Sequence, residues 1–126
     1  MTTTTISVLL VEDDEVVRTS MRFALESASI LVAEADTVSS ALRRFHENNA
    51  DVVVIDLHLP DGTGYDLAKW LWRHRPLLPL VIISTDHGEI PPLTPGHGCI
   101  TLLTKPFSAS ALLDAISRVV TDPGRG

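Results

Sequence analysis

The sequence predicts a doubly wound α/β domain: a five-stranded parallel sheet with helices on both faces. Three observations predict it. Five short apolar runs, most of them rich in β-branched residues, recur at residues 6–11, 30–35, 51–57, 80–84 and 100–104. Between most of them, apolar residues return at spacings of three and four, the period of an amphipathic helix. The chain has 126 residues, 44% hydrophobic and 21% charged, enough for one domain that buries roughly two thirds of its unfolded surface. Strands alternating with helices call for a parallel sheet covered on both faces, with right-handed crossovers.

The first run, ISVLLV at residues 6–11, is continuously apolar, as suits a strand buried on both faces. It stops at four acids, Glu12 to Glu15. Residues 16–28 form the first helix, with Val17, Met21, Ala24, Leu25 and Ala28 inward and Asp13 or Asp14 as N-cap. Residues 30–35 are the second strand. Residues 39–47 are the second helix, with Ala41, Leu42 and Phe45 inward and Arg43, Arg44 and His46 outward. The segment DVVVIDL at 51–57 is the third strand, and Pro60-Asp61-Gly62 is a turn signal. Residues 65–74 are a helix with Leu67, Trp70, Leu71 and His74 on its inward stripe, which places Trp72 off the stripe and exposed. Residues 80–84 and 100–104 are the fourth and fifth buried strands. Residues 108–120 are the last helix, N-capped by Ser108. Between the fourth and fifth strands, residues 86–99 hold Pro91, Pro92, Pro95, Gly88, Gly96 and Gly98. Each interior proline costs a helix about 3 kcal/mol, so a loop or a single helical turn is expected there. The chain reads as one domain, residues 1–126, with a core at about 6–120 and a frayed tail at 121–126.

Composition excludes several functions. With 10 Lys+Arg against 16 Asp+Glu, the net charge is −6, the wrong sign for direct nucleic-acid binding. Cys99 is the lone cysteine and builds neither a disulfide nor, by itself, a zinc site. His87, His97 and Cys99 lack ordinary metal-ligand spacing. No apolar run approaches the ~20 residues of a membrane span, and residues 1–5 lack signal-peptide features. A cytoplasmic domain with no membrane partner is expected.

In an open parallel sheet, chemistry gathers outside the carboxyl ends of the strands. The first strand delivers Glu12, Asp13 and Asp14 there, the third Asp56, the fourth Ser84 and Thr85, and the fifth Thr104 and Lys105. The acid run by itself also suits a solvated helix N-terminus. Crowded carboxylates raise one another's pKa, and a hard divalent cation such as Mg²⁺ relieves the repulsion. A carboxylate can also attack phosphorus to give an acyl phosphate. Lys105 and Ser84 can then meet the charge of the arriving group.

The segments VLLVEDDEVVR, VVVIDLHLPDGTG, PLVIIS and LLTKPF, in this order and spacing, resemble the receiver domain of two-component response regulators. The resemblance covers residues 6–120. It implies a flavodoxin-like, CheY-like sheet of strand order 2-1-3-4-5, in which the prolines of residues 86–99 shorten the fourth helix or replace it by a loop. It also implies that Asp56 is the phosphoacceptor. Glu12 and Asp13 would hold Mg²⁺ together with Asp56 and the His58 backbone carbonyl. Ser84 would be the switch hydroxyl, Lys105 the phosphate-contacting lysine, and Lys105–Pro106 a cis bond. His58 and Asp86 stand where the family tunes hydrolysis. The implied function is acceptance of a phosphoryl group from a sensor histidine kinase or histidine phosphotransfer protein. The output would be contact with a downstream protein. Such a domain is a phosphoacceptor that assists its own phosphorylation and dephosphorylation, not an enzyme on other molecules. The first and last helices offer apolar surface for a homodimer.

Three features depart from the family: Leu102 where Tyr or Phe is usual, Thr85 where a small residue is usual, and the proline-rich 86–99 segment. They motivate an alternative, a protein-binding module that signals without phosphate. A third possibility, a dehalogenase-type phosphatase, is disfavoured, because that chemistry places a second Asp where His58 stands.

Overall fold

The computed structural model describes residues 5–85 and 100–121. The elements run β1 (Ser7–Val11), α1 (Glu15–Ser27), β2 (Leu31–Ala35), α2 (Val38–Glu47), β3 (Val52–Asp56), β4 (His58–Leu59), β5 (Gly62–Thr63), α3 (Gly64–His74), β6 (Leu80–Ser84), β7 (Ile100–Thr104) and α4 (Ala109–Thr121). Five strands form one sheet in the order β2-β1-β3-β6-β7, and every pairing in it is parallel. This is the expected order 2-1-3-4-5 once the two-residue strands are set aside. β4 and β5 form a small antiparallel hairpin, built on the Pro60-Asp61-Gly62 turn. The expectations for residues 86–99 and for the tail at 122–126 lie outside the described residues.

Alternation along the strands divides the core in two. Leu9, Val11, Val53, Ile55, Leu80 and Ile82 face α2 and α3. Val8, Leu10, Val52, Val54, Val81 and Ile83 face α1 and α4. β1, β3 and β6 are therefore buried on both sides, which is why they read as unbroken apolar runs. Helix ends follow local chemistry. Asp14 caps α1, its Oδ1 accepting from the N–H groups of Val16 (2.9 Å) and Val17 (3.1 Å). Ser108 Oγ accepts from the Ala111 N–H at 3.0 Å. Thr37 and Ser40 form a reciprocal capping box on α2, a known way to satisfy two orphan donors. Asp61 reaches the same helix end, accepting from Val38 N–H at 2.7 Å and Ser39 N–H at 3.1 Å. Those donors hold its carboxyl below the usual range. The loop that leaves β3 is thereby tied to α2.

Several expectations are corrected, beginning with α3. Trp72, expected exposed, is buried, and its indole N–H donates to the Leu78 carbonyl at 2.7 Å. Trp70, expected in the core, is half-buried and stacks on His74, with ring centroids 3.9 Å apart. His74, expected inward, is exposed. The cause is the rotation of α3. Gly64, Ala68 and Trp72 lie four residues apart on the sheet-facing line, and an added Cβ at Gly64 would sit 2.5 Å from the Asp56 carbonyl oxygen. That close approach fixes which face turns inward. Replacing Trp72 by Phe is expected to cost about 2 kcal/mol, because it leaves the Leu78 carbonyl unpaired and opens space in the core. Urea unfolding checks this.

A further correction concerns β7. It was expected to be buried, but Ile100 and Leu102 are 37% and 43% exposed. β7 is a sheet edge, and its Leu103 packs on the side of α1 and α4. Ile100 and Leu102 alternate to the other face. Ala28, expected on the inward stripe of α1, is exposed at the helix end.

Candidate functional site

The carboxyl ends of β1, β3, β6 and β7 meet at one rim, and the structure brings the predicted residues to it. Glu12 follows β1 and is fully buried. Its backbone N–H donates to the Ala35 carbonyl at 3.0 Å, which extends the sheet by one residue. Asp56 ends β3 and is 5% exposed. Lys105 follows β7, its backbone N–H donating to the Ser84 carbonyl at 2.9 Å. The Lys105–Pro106 bond is cis. Ser84 is buried at the end of β6, one residue after Ile83, the register partner of Asp56. Asp13 and His58 are exposed at the rim.

Lys105 joins the two buried acids. Its Nζ lies 2.9 Å from Asp56 Oδ2 and 3.0 Å from Glu12 Oε1. The other Asp56 oxygen, Oδ1, accepts the His58 N–H at 2.9 Å. Glu12 Oε2 accepts the Asp14 N–H at 3.1 Å. Glu12 Oε1 is buried without a hydrogen-bond partner, so its contact with Lys105 is an ion pair and not an aligned hydrogen bond. Burial pushes the Glu12 carboxyl from 4.5 up to about 7, against the pull of Lys105 and the Asp14 N–H, and the charge of Asp56 adds to the rise. Burial alone would lower the pKa of Lys105, but Asp56 and Glu12 overturn that and raise it.

The donor set fits a hard cation. One oxygen from each of Glu12, Asp13 and Asp56 lies within 4.8 Å of the others. All are carboxylate oxygens, the class Mg²⁺ prefers, and the orphaned Glu12 Oε1 is a ready ligand atom. Beside Lys105 runs an open, largely apolar groove of about 550 Å³, lined in part by Val16, Val17, Met21, Pro106 and Phe107. Thr85 is exposed at its edge.

Two contributors escaped the sequence. Gly64 permits α3 to start against Asp56, and a glycine opening a helix was the one available signal. Arg18 donates from Nη1 to the Glu12 carbonyl at 2.8 Å, and nothing in the spacing announced it. His87, His97, Cys99 and Asp86 lie outside the described residues.

Comparison with known proteins places these observations. Residues 8–117 match the family described as the response regulator receiver domain. The sensory transduction protein RegX3 of Mycolicibacterium smegmatis is 33% identical over 90% of this chain and 50% of its own length. The KDP operon transcriptional regulatory protein KdpE of Escherichia coli is 33% identical over 84% of this chain and 47% of its own. The chain thus spans about half the length of these curated relatives. Among solved structures, the non-phosphorylated HemR receiver domain from Leptospira biflexa superimposes with a TM-score of 0.82 at 33% identity, covering 92% of this chain and 94% of that one.

Proposed function

The chain belongs to the response regulator receiver domain family, and from that premise we propose that Asp56 accepts a phosphoryl group in a Mg²⁺-dependent reaction. The observation that carries this is the ammonium of Lys105 bridging Asp56 and the orphaned Glu12 oxygen. A carboxylate oxygen of Asp56 attacks phosphorus. The bond from phosphorus to the donor, a histidine nitrogen of a sensor kinase or phosphotransfer protein, breaks with its electron pair leaving on nitrogen. The product is an aspartyl phosphate. Lys105 is placed to follow the transferred oxygens, and the Ser84 hydroxyl is the second group to meet them.

Glu12, Asp13 and Asp56, with the His58 carbonyl, would hold Mg²⁺, which when bound offsets the negative charge that gathers on the phosphoryl oxygens. The His58 N–H fixes the orientation of the Asp56 carboxylate. The groove beside Lys105, with Val16 79% exposed at its edge, offers an apolar approach for the donor's helix. The domain acts as a phosphoacceptor rather than an enzyme on other molecules, works in the cytoplasm, and passes its state on by protein contact.

Two measurements bear on this. Intact mass after incubation with Mg²⁺ and acetyl phosphate should rise by one phosphoryl group, and Asp56→Asn should show no gain. An unmodified wild-type chain that also binds no Mg²⁺ would favour the phosphate-independent module. The second measurement is the pH dependence of Mg²⁺ affinity. A proton on Glu12 competes with the cation, and its pKa is raised to about 7. Calorimetric affinity should therefore climb between about pH 6 and about pH 8, by at most roughly tenfold per unit, and then level. The same raised pKa makes the metal-free domain lose stability as pH rises from 4.5 toward about 7, since the folded state holds that proton more tightly than the unfolded chain.

A further inference from the structure

We infer that Arg18, itself fixed by Glu34, is a positioning residue that orients the peptide between Glu12 and Asp13. It thereby aims both carboxylates at the cation, an inference that rests on the Mg²⁺ site proposed above. Glu12 is held at every polar atom but one. Its N–H donates to the Ala35 carbonyl at 3.0 Å. Its Oε2 accepts the Asp14 N–H at 3.1 Å. Its carbonyl accepts Arg18 Nη1 at 2.8 Å. Oε1 alone lacks a hydrogen bond, and it is the atom that lies 3.0 Å from Lys105 Nζ.

The carbonyl bond matters because a peptide unit is planar. Fixing the Glu12 C=O fixes the plane that leads into Asp13, and so places the Asp13 N and Cα from which its side chain departs. Arg18 can hold that plane because its own direction is set. Its Nε donates to Glu34 Oε1 at 3.0 Å, with the Arg18 side chain only 17% exposed. The second Glu34 oxygen is engaged by Arg22 Nε at 3.1 Å. One carboxylate on β2 thus anchors two guanidiniums one turn apart on α1, and only one of them reaches the site. The planar guanidinium serves two acceptors in fixed directions, which a lysine ammonium does not reproduce. Partners that orient a ligand group commonly change metal affinity by about 10–100-fold when removed.

Arg22 supplies the internal control, because it shares Glu34 with Arg18 but turns another of its nitrogens to Glu26 on its own helix. The experiment is calorimetric Mg²⁺ titration of the wild type, Arg18→Met and Arg22→Met, well below the thermal unfolding midpoint measured for each. Arg18→Met should weaken Mg²⁺ binding about tenfold, while Arg22→Met binds as the wild type does, although both lower the unfolding midpoint. Wild-type affinity in Arg18→Met would overturn the inference. So would equal weakening in both variants, which would make the effect a general loosening of α1 on β2. Should Arg18→Met fail to fold, Glu34→Gln takes its place. Severalfold weaker binding is then expected, and unchanged binding overturns the inference. A wild-type chain that binds no Mg²⁺ would instead overturn the site itself, and is distinguishable because it appears before any substitution is made.

Discussion

Replacing Lys105 by methionine should slow phosphorylation of Asp56 by acetyl phosphate about a hundredfold, while leaving the domain folded. Removing one preorganised charge donor from a reacting centre commonly costs two to three orders of magnitude in rate. Here the donor is the ammonium 2.9 Å from Asp56 Oδ2. Methionine keeps most of the length of the side chain and loses the charge. The loss acts twice. The transferred oxygens lose a cation, and Glu12 and Asp56 face each other without the group that lies between them. Lys105 also pulls the raised Glu12 pKa back down, so the variant should hold the Glu12 proton to still higher pH and bind Mg²⁺ more weakly near neutrality. The rate is read from the fraction of phosphorylated intact mass against time. An unchanged rate would remove Lys105 from the chemistry.

The second large effect is expected at Gly64, where a single methyl group meets backbone. An added Cβ would lie 2.5 Å from the Asp56 carbonyl oxygen, 2.9 Å from Ile55 Cγ2 and 3.0 Å from Leu57 Cα. All three belong to β3 or its exit, at the centre of the sheet. None is the end of a flexible side chain, so α3 or the strand end must shift. Overpacking of this kind costs about 1–3 kcal/mol, and Gly64→Ala should fall near the upper end. Its diagnostic feature is a second consequence. The strand end pressed by the added methyl carries Asp56, so the phosphorylation rate should fall together with the urea midpoint. The buried Trp72→Phe change, by contrast, should lower stability and leave the rate near that of the wild type. A Gly64→Ala protein as stable and as fast as the wild type would mean that α3 does not sit where it is placed here.

Particular residues show what the sequence makes legible. β6 and β7 occupy the residues their apolar runs predicted, and β1 and β3 are within one residue at each end. Strands buried on both faces leave a continuous signal that needs no knowledge of neighbours. The rim acids, Asp56 and Lys105 were legible for a related reason: strand ends deliver them, and strand ends are sharp. Helix rotation was harder. On α3, the set Leu67, Trp70, Leu71 and His74 and the set Leu67, Ala68, Leu71 and Trp72 both obey helical spacing. Side-chain size favours the first set. Gly64 and Ala68 decide for the second, because small residues let the helix come close to the sheet, and that is a property of the packing partner. Exposure of β7 is likewise set by its place at the edge and not by its composition. Arg18 was invisible because its acceptor is a backbone carbonyl, which every residue carries.

The most direct test of the central claim is chemical identification of the modified residue. The chain is treated with Mg²⁺ and acetyl phosphate, reduced with borohydride, which converts an aspartyl phosphate into homoserine, and mapped by peptide mass. The account predicts homoserine at position 56 and no other changed aspartate. Homoserine at another aspartate of the rim, or an unreduced Asp56 in a chain whose mass had risen by a phosphoryl group, would contradict it.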